Sequence, residues 1–338
     1  MSQVILMAHG SGGQMSHTLI REVFLRYFDG EALAELGDAG LVEDGSFRAG
    51  RLAITTDSYV VKPLFFPGGD VGKLAVCGTV NDLAVAGARP LYLTAGFILE
   101  EGLPMETLER VVRSMAETAR QAGVQIAAGD TKVVERGAAD GLFINTAGVG
   151  ALLTPEPLSP RRLRAGDILL INGPVGDHGL AIMLQREGLT FQSGLTSDCA
   201  PLNGLIAALL AELPGEVRCM RDPTRGGLAT TLNEWAGVGV GIEIDEEAVP
   251  VRPAARAACE ILGLDPLYIA NEGKVLIAVA PASAERALAI LRSHPLGREA
   301  VIIGRVTEEH PGRVVLRTAY GARRVLDMLA GDPLPRIC

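Results

Sequence analysis

The clearest pattern lies between Pro104 and Gly123. Apolar residues at Met105, Leu108, Val111, Val112, Met115 and Ala119 recur about every 3.6 positions, which predicts one amphipathic helix that opens on the proline and stops at the glycine. Short apolar runs broken by glycine, proline and acids flank it and read as strands at 51–57, 91–99, 124–128 and 141–153. Helices are predicted at 16–28 and after Lys73, the second carrying Val80-Asn81-Asp82-Leu83. Beyond residue 153 the pattern predicts strands at 167–171, 241–244, 274–279, 300–306 and 313–316. Helices are predicted there at 179–186, 203–213, 228–236, 253–262 and 284–291. Both halves mix helix and strand, so the fold class is α/β, of the α+β type with mixed sheets. Thr154-Pro155-Glu156-Pro157 interrupts the pattern as a hinge, which predicts domains at 1–153 and 154–330. The ending Gly331-Asp-Pro-Leu-Pro-Arg-Ile-Cys338 holds two prolines and a glycine that forbid a regular helix. Residues 331–338 read as a mobile tail, about 26 Å long if extended.

Composition narrows the function classes. The chain has 338 residues, 48% hydrophobic and 21% charged, enough to bury substantial cores. Its net charge of −9, with no Lys/Arg block, argues against nucleic acid or an anionic membrane as the main partner. The first residues lack the basic region of a signal peptide and no apolar run is long enough to span a bilayer, so a cytoplasmic location is expected. The five cysteines, at 77, 199, 219, 259 and 338, are scattered and form no C-x-x-C pair, so neither a disulfide framework nor a zinc site is expected. Cys77, Cys199, Cys219 and Cys259 read as small core residues, and Cys338 as the mobile, accessible thiol.

Four acids suggest chemistry. Asp57, Asp130 and Asp222 stand where an apolar run breaks into Gly, Ser, Thr or Pro, and Asp82 follows Asn81 on a helix. A single such Asp is usually a cap or turn residue. Four of them across both halves point instead to a nucleotide cleft, because hard oxygen ligands suit Mg2+ and glycine-rich turns can cradle phosphates. His9-Gly-Ser-Gly-Gly13 is such a turn, and His9 or His178 could bind phosphate, although both more often read as ordinary polar loop residues. Pro67-Gly-Gly-Asp-Val-Gly-Lys73 is no Walker loop, since Pro67 and Leu74 replace the required Gly and Ser/Thr. Lys132 and Glu272 lie in polar breaks beside apolar strands; taken singly they read as solvated charges, taken together as a pair able to move protons. Trp235 reads as core.

The ordered set His9-Gly-Ser-Gly-Gly13, Thr55-Thr-Asp-Ser58, Phe66-Pro-Gly-Gly-Asp70, Val80-Asn-Asp-Leu83, Ala128-Gly-Asp-Thr-Lys132, Asp222-Pro-Thr-Arg-Gly-Gly227, Asn271-Glu-Gly273 and Pro335-Arg-Ile-Cys338 resembles the hydrogenase maturation factor HypE family, the carbamoyl dehydratases. The resemblance implies a two-domain fold like aminoimidazole ribonucleotide synthetase and selenophosphate synthetase, dimerised through sheets of the N-terminal domain. It implies ATP and Mg2+ as cofactors, with Asp57, Asp82 and Asp222 on the metal and phosphates and with Asn81 and Asp130 lining the cleft. It further implies Cys338 as the acceptor of a carbamoyl group from the carbamoyltransferase HypF, Lys132 and Glu272 assisting proton removal, and a HypC–HypD iron-carrying complex as the cyanide acceptor.

The chemistry suits these residue types. A thiocarbamate on Cys338 must lose water to become a thiocyanate, and phosphorylation turns its oxygen into a leaving group. The terminal carboxylate would raise the thiol pKa, and Arg336 is expected to offset it. A selenophosphate-synthetase-like kinase is the alternative within the enzymes, but those carry a reactive Cys or selenocysteine in the N-terminal glycine-rich segment, and 9–17 holds none. A non-catalytic maturation scaffold is the alternative outside them.

Overall fold

A computed structural model describes residues 6–10, 13–25, 27, 37–42, 51–188, 194–329 and 336–338. Ser11, Gly12 and residues 331–335 of the expected tether lie outside them. α1 (Gln14–Leu19) begins two residues earlier than its sequence pattern and continues as a π-helical turn. β1 (Gly40–Val42), β2 (Leu52–Tyr59) and a small ribbon of β3 (Phe65–Phe66) and β4 (Gly69–Asp70) follow. α2 (Val71–Val85), β5 (Ala88–Glu100), α3 (Met105–Ala122), β6 (Gln125–Val134) and β7 (Leu142–Leu152) complete the first half.

One sheet, in the order β1-β2-β7-β5-β6, is antiparallel except for the β5–β6 pair. α2 and α3 cover its inner face. The Asp70 carboxylate caps α2 by accepting from Gly72 N and Lys73 N. α3 buries the stripe predicted for it at Val111, Met115 and Ala119, and ends on Gly123 in the left-handed conformation, φ 69°. α2 is apolar nearly all round, because the second half of the chain closes over its remaining face. Among the described residues nothing covers the outer face of the sheet, where Ile54, Tyr92 and Ile98 are exposed.

The second half contains β8 (Ile168–Ile171), α4 (Asp177–Arg186), α5 (Asn203–Glu212), β9 (Val217–Arg221), α6 (Gly227–Ala236), β10 (Gly241–Asp245), α7 (Pro253–Leu262), β11 (Leu276–Val279), α8 (Ala284–Ser293), β12 (Val301–Thr307), β13 (Val314–Arg317) and β14 (Arg323–Val325). Its seven strands run β14-β13-β10-β12-β8-β11-β9. β11 reads Leu-Ile-Ala-Val and is buried on both faces. Leu276 and Ala278 meet Trp235 and Leu232 of α6, while Ile277 and Val279 meet Leu205, Leu209 and Leu291 of α5 and α8. The edge strands β9 and β14 escape the sequence pattern, being short and without clean alternation. Among the described residues no helix is long and apolar enough to cross a membrane.

The two halves share a core. Leu180, Ile182, Ala255, Cys259 and Ile269 of the second half pack with Tyr59, Leu74, Val111 and Met115 of the first, and Ile337 from the chain end joins them. The cleft above this shared core receives the loops before β1, after β9 and before β11.

Candidate active site

Three of these elements converge on a knot of carboxylates. Asp38 precedes β1, Asp82 lies on α2, and Asp222 follows β9. One oxygen from each lies within 4.8 Å of the others. Thr55 Oγ1 sits 2.8 Å from both the Asp38 carbonyl and Asp82 Oδ2, tying β2 to the knot. Burial, aided by the charge of neighbouring acids, raises Asp38 to about 6 and pushes Asp82 and Asp222 well above the usual carboxylate range. Arg221 opposes this from Asp38, at 3.0 Å, but also serves Glu234, at 3.1 Å. Three carboxylates, Asp222 buried and Asp38 and Asp82 half-buried, with one shared guanidinium form an all-oxygen donor set that fits a hard divalent cation of the Mg2+ type.

Asp38 had no signal in the hydrophobic pattern beyond a polar Gly-Asp-Ala-Gly step. Asp57, expected in the knot, lies inside β2 instead of at its end. Its Oδ1 pairs with Arg225 at 3.2 Å, and its charge acts on all three members of the knot. Arg225 belongs to the Asp222–Gly227 turn. At Gly227, φ +61°, a Cβ would lie 2.6 Å from the Ile269 carbonyl, so this turn packs against the chain leading to Glu272.

The last three residues are docked in the cleft, not free. Val60 N–H donates to the Cys338 carbonyl at 3.1 Å and Lys62 N–H to the Arg336 carbonyl at 3.4 Å, so the tail adds an antiparallel rung beyond β2. Ile337 is buried. Its carbonyl accepts from His178 Nε2 at 3.1 Å, which makes Nε2 the protonated nitrogen, and His178 Nδ1 accepts from the Ser197 hydroxyl at 2.7 Å. With both nitrogens engaged and the ring wholly buried, His178 holds the tail and does not bind phosphate. His9 Nδ1 accepts from Leu6 N–H in its own turn.

Arg336 does not offset charge at the thiol, because its guanidinium turns to Asp140 at 2.6 Å. Arg225 is the cation at the sulfur. Cys338 is partly exposed. Burial pushes its thiol up to about 11, with Arg225 opposing and Glu272 and Asp57 adding. Cys77, Cys199, Cys219 and Cys259 are buried and unpaired.

Glu272 is 3% exposed, and burial drives its carboxyl well above the usual range. Its backbone is fixed on both sides: its N–H donates to Asp198 Oδ1 at 3.0 Å and its carbonyl accepts from the Asn81 amide at 3.2 Å. Asn81 also donates to the Ala200 carbonyl at 3.1 Å and accepts from Leu202 N–H at 2.8 Å. Its carboxamide therefore clamps the two halves beneath the cleft.

Asp130 and Lys132 stand apart from the other candidates in this chain. They lie within β6, not in a polar break, and pair with each other at 2.8 Å with 70% of each side chain exposed. The ladder aligns Lys132 with Ile98, Ile98 with Phe143, and Ile144 with Tyr59. Three strand spacings, about 14 Å at roughly 4.8 Å each, separate Lys132 from the end of β2.

A mixed sheet capped by helices, a second helix-covered sheet and an acid-lined cleft between them define the class. The AIR synthase related protein N-terminal domain model matches residues 37–152 and the C-terminal domain model residues 164–317. The carbamoyl dehydratase HypE of Azotobacter vinelandii is 54% identical over 334 residues, covering 98% of this chain and 96% of that protein. A crystal structure of a HypE–HypF complex superposes with a TM-score of 0.86 at 50% identity, covering 92% of this chain and 99% of that one. A HypE structure in complex with ATP gives 0.83 at 52% identity, covering 99% of this chain and 100% of that one. Within the AIR synthase related class, the chain belongs to the carbamoyl dehydratase HypE family of enzymes.

Proposed function

We propose that this chain dehydrates a carbamoyl group carried on its own Cys338, using ATP, as a step in hydrogenase maturation. The observation that carries the reading is the docked tail, which sets the Cys338 sulfur among Arg225, Asp57 and Glu272 beside the carboxylate knot. The relatives' ATP and HypF complexes supply the phosphoryl donor and the carbamoyl donor.

Cys338 accepts the carbamoyl group while the tail is out of the cleft. The tail then docks, Ile337 entering the core and His178 and Val60 fixing its backbone. This makes the reaction intramolecular and limits hydrolysis of the activated group. The carbamoyl oxygen attacks the γ-phosphorus and ADP leaves. Glu272, made more basic by burial, takes one proton from nitrogen as the C–N bond gains order. The second N–H proton passes to the departing phosphate as the C–O bond breaks, which leaves S–C≡N. Asp38, Asp82 and Asp222 would hold Mg2+, which when bound offsets the charge of the phosphoryl group. The tail then undocks to give cyanide to an iron-carrying acceptor of the HypC–HypD kind.

The remaining family positions enter the proposal through a second copy of the chain. The open face of the first sheet, with exposed Ile54, Tyr92 and Ile98, suits a homodimer. Lys132, too far along the sheet to reach its own Cys338, would act with Asp130 in the cleft of the partner copy. Carbamoylated chain given ATP and Mg2+ should release one phosphate per chain, and unmodified chain should release only background. Glu272→Gln should bind ATP normally and lose the phosphate burst; a full burst in that variant removes Glu272 as the base.

A further inference from the structure

We propose that Arg225 is a catalytic residue that holds the carbamoyl oxygen and so decides which way the planar carbamoyl group faces. The inference rests on the dehydratase reading above and adds a residue to it. Arg225 donates to the Cys338 sulfur and pairs with Asp57 at 3.2 Å. Arg221 is committed to Asp38 and Glu234, so among the described residues Arg225 is the cation at the sulfur end.

The chemistry of the carbamoyl group makes that position decisive. Rotation about the S–C bond exchanges its oxygen and its NH2. The oxygen only accepts hydrogen bonds, and the NH2 donates them. Arg225 has donors and no acceptor, whereas the carboxyl groups of Asp57 and Glu272 both offer acceptor oxygens. A carbamoyl on Cys338 is therefore sorted, with its oxygen toward the guanidinium and its NH2 toward the carboxylates. Only that orientation presents the oxygen to the phosphoryl donor and the N–H bonds to the base. One oxygen lone pair accepts from Arg225 and the other forms the bond to phosphorus as the β–γ bridge breaks toward ADP. One N–H proton passes to Glu272, and the C–O bond then breaks with its electrons going to phosphate, which takes the other proton. The guanidinium stays beside the oxygen while negative charge gathers there, which is where a fixed donor lowers a barrier most. Lysine offers a single point charge without the planar fork and cannot reproduce the sorting.

The test is single-turnover dehydration of chain carbamoylated on Cys338 by the HypF transferase, followed by intact mass. Arg225→Gln should bind ATP within about threefold of the parent, accept carbamoyl normally, and lose water about 100-fold more slowly, the scale of removing one such donor. Arg225→Lys should recover only a small part of the rate. Guanidinium ion added to Arg225→Ala should restore turnover, which a role in folding alone would not allow. Dehydration within about threefold of the parent in Arg225→Gln overturns the proposal. So does a loss matched by an equal loss of ATP affinity and tail docking. If the parent chain itself never loses water, the dehydratase reading fails and not this assignment.

Discussion

Asp38 sets how the cleft responds to pH. Its carboxyl is raised by burial to about 6, against an ordinary value of 3.8. Between those values the folded chain keeps a proton that the unfolded chain has released. Without a divalent cation, its contribution therefore falls as pH rises from about 4 to about 6, and the cost stays in place above 6. A cation competes with that proton. Thermal melts should accordingly gain more from Mg2+ at pH 7.5 than at pH 5. Asp38→Asn should raise the melting temperature in chelator at pH 7.5 and weaken Mg2+ binding at least about tenfold. An equal Mg2+ effect at both pH values contradicts the three-carboxylate site. Asp82, Asp222 and Glu272 were legible as candidates because each sits in a polar break of an apolar pattern. Asp38 was not, since a lone acid among glycines looks like any turn and its importance comes only from where β1 and β2 bring it. Arg225 and His178 were visible in sequence but their roles were not, because their partner is the far end of the chain.

At the scale of elements, the docked tail is the feature with a measurable equilibrium. It is held by two backbone hydrogen bonds from the end of β2, the Ile337 side chain, the Arg336–Asp140 pair and the His178 donor. His178→Phe keeps a ring against Phe66 but removes the donor, a loss of about 1–1.5 kcal/mol or about tenfold in undocked population. At pH 8 it should speed alkylation of Cys338 about tenfold while Cys77, Cys199, Cys219 and Cys259 stay protected. An unchanged rate means that His178 does not hold the tail. Burial holds the His178 pKa down to about 4, from 6.5, with Asp198 opposing. The stability that neutral, buried His178 gives the fold is whole above 6.5 and is lost as pH falls toward 4, so the melting temperature should fall across that range. The helices were legible almost residue by residue, because α3 and α7 each bury one stripe. β6 was read short because its outer half is exposed and polar on both faces, which hides the strand period in this copy of the chain.

At the scale of the whole molecule, the open sheet face and the stranded Lys132 ask for the same partner, a second copy. Ile98→Asp on that face should turn a dimer into monomers by light scattering. Mixing Lys132→Ala with Glu272→Gln should then restore part of the activity that neither has alone, since one cleft of the mixed dimer would hold both intact groups. No restoration after subunit exchange means that Lys132 does not act across copies. Sequence patterning could place the two sheets but not the sharing of one core by both halves, which depends on α4, α7 and Ile337 packing against α2 and β2. The account as a whole stands on chemistry at Cys338. Its most direct measurement is the mass of the C-terminal peptide after carbamoylated chain has met Mg-ATP. The peptide should lose one water, at Cys338, with ATP and not with a non-hydrolysable analogue. Retention of the carbamoyl mass in the presence of hydrolysable ATP would contradict it.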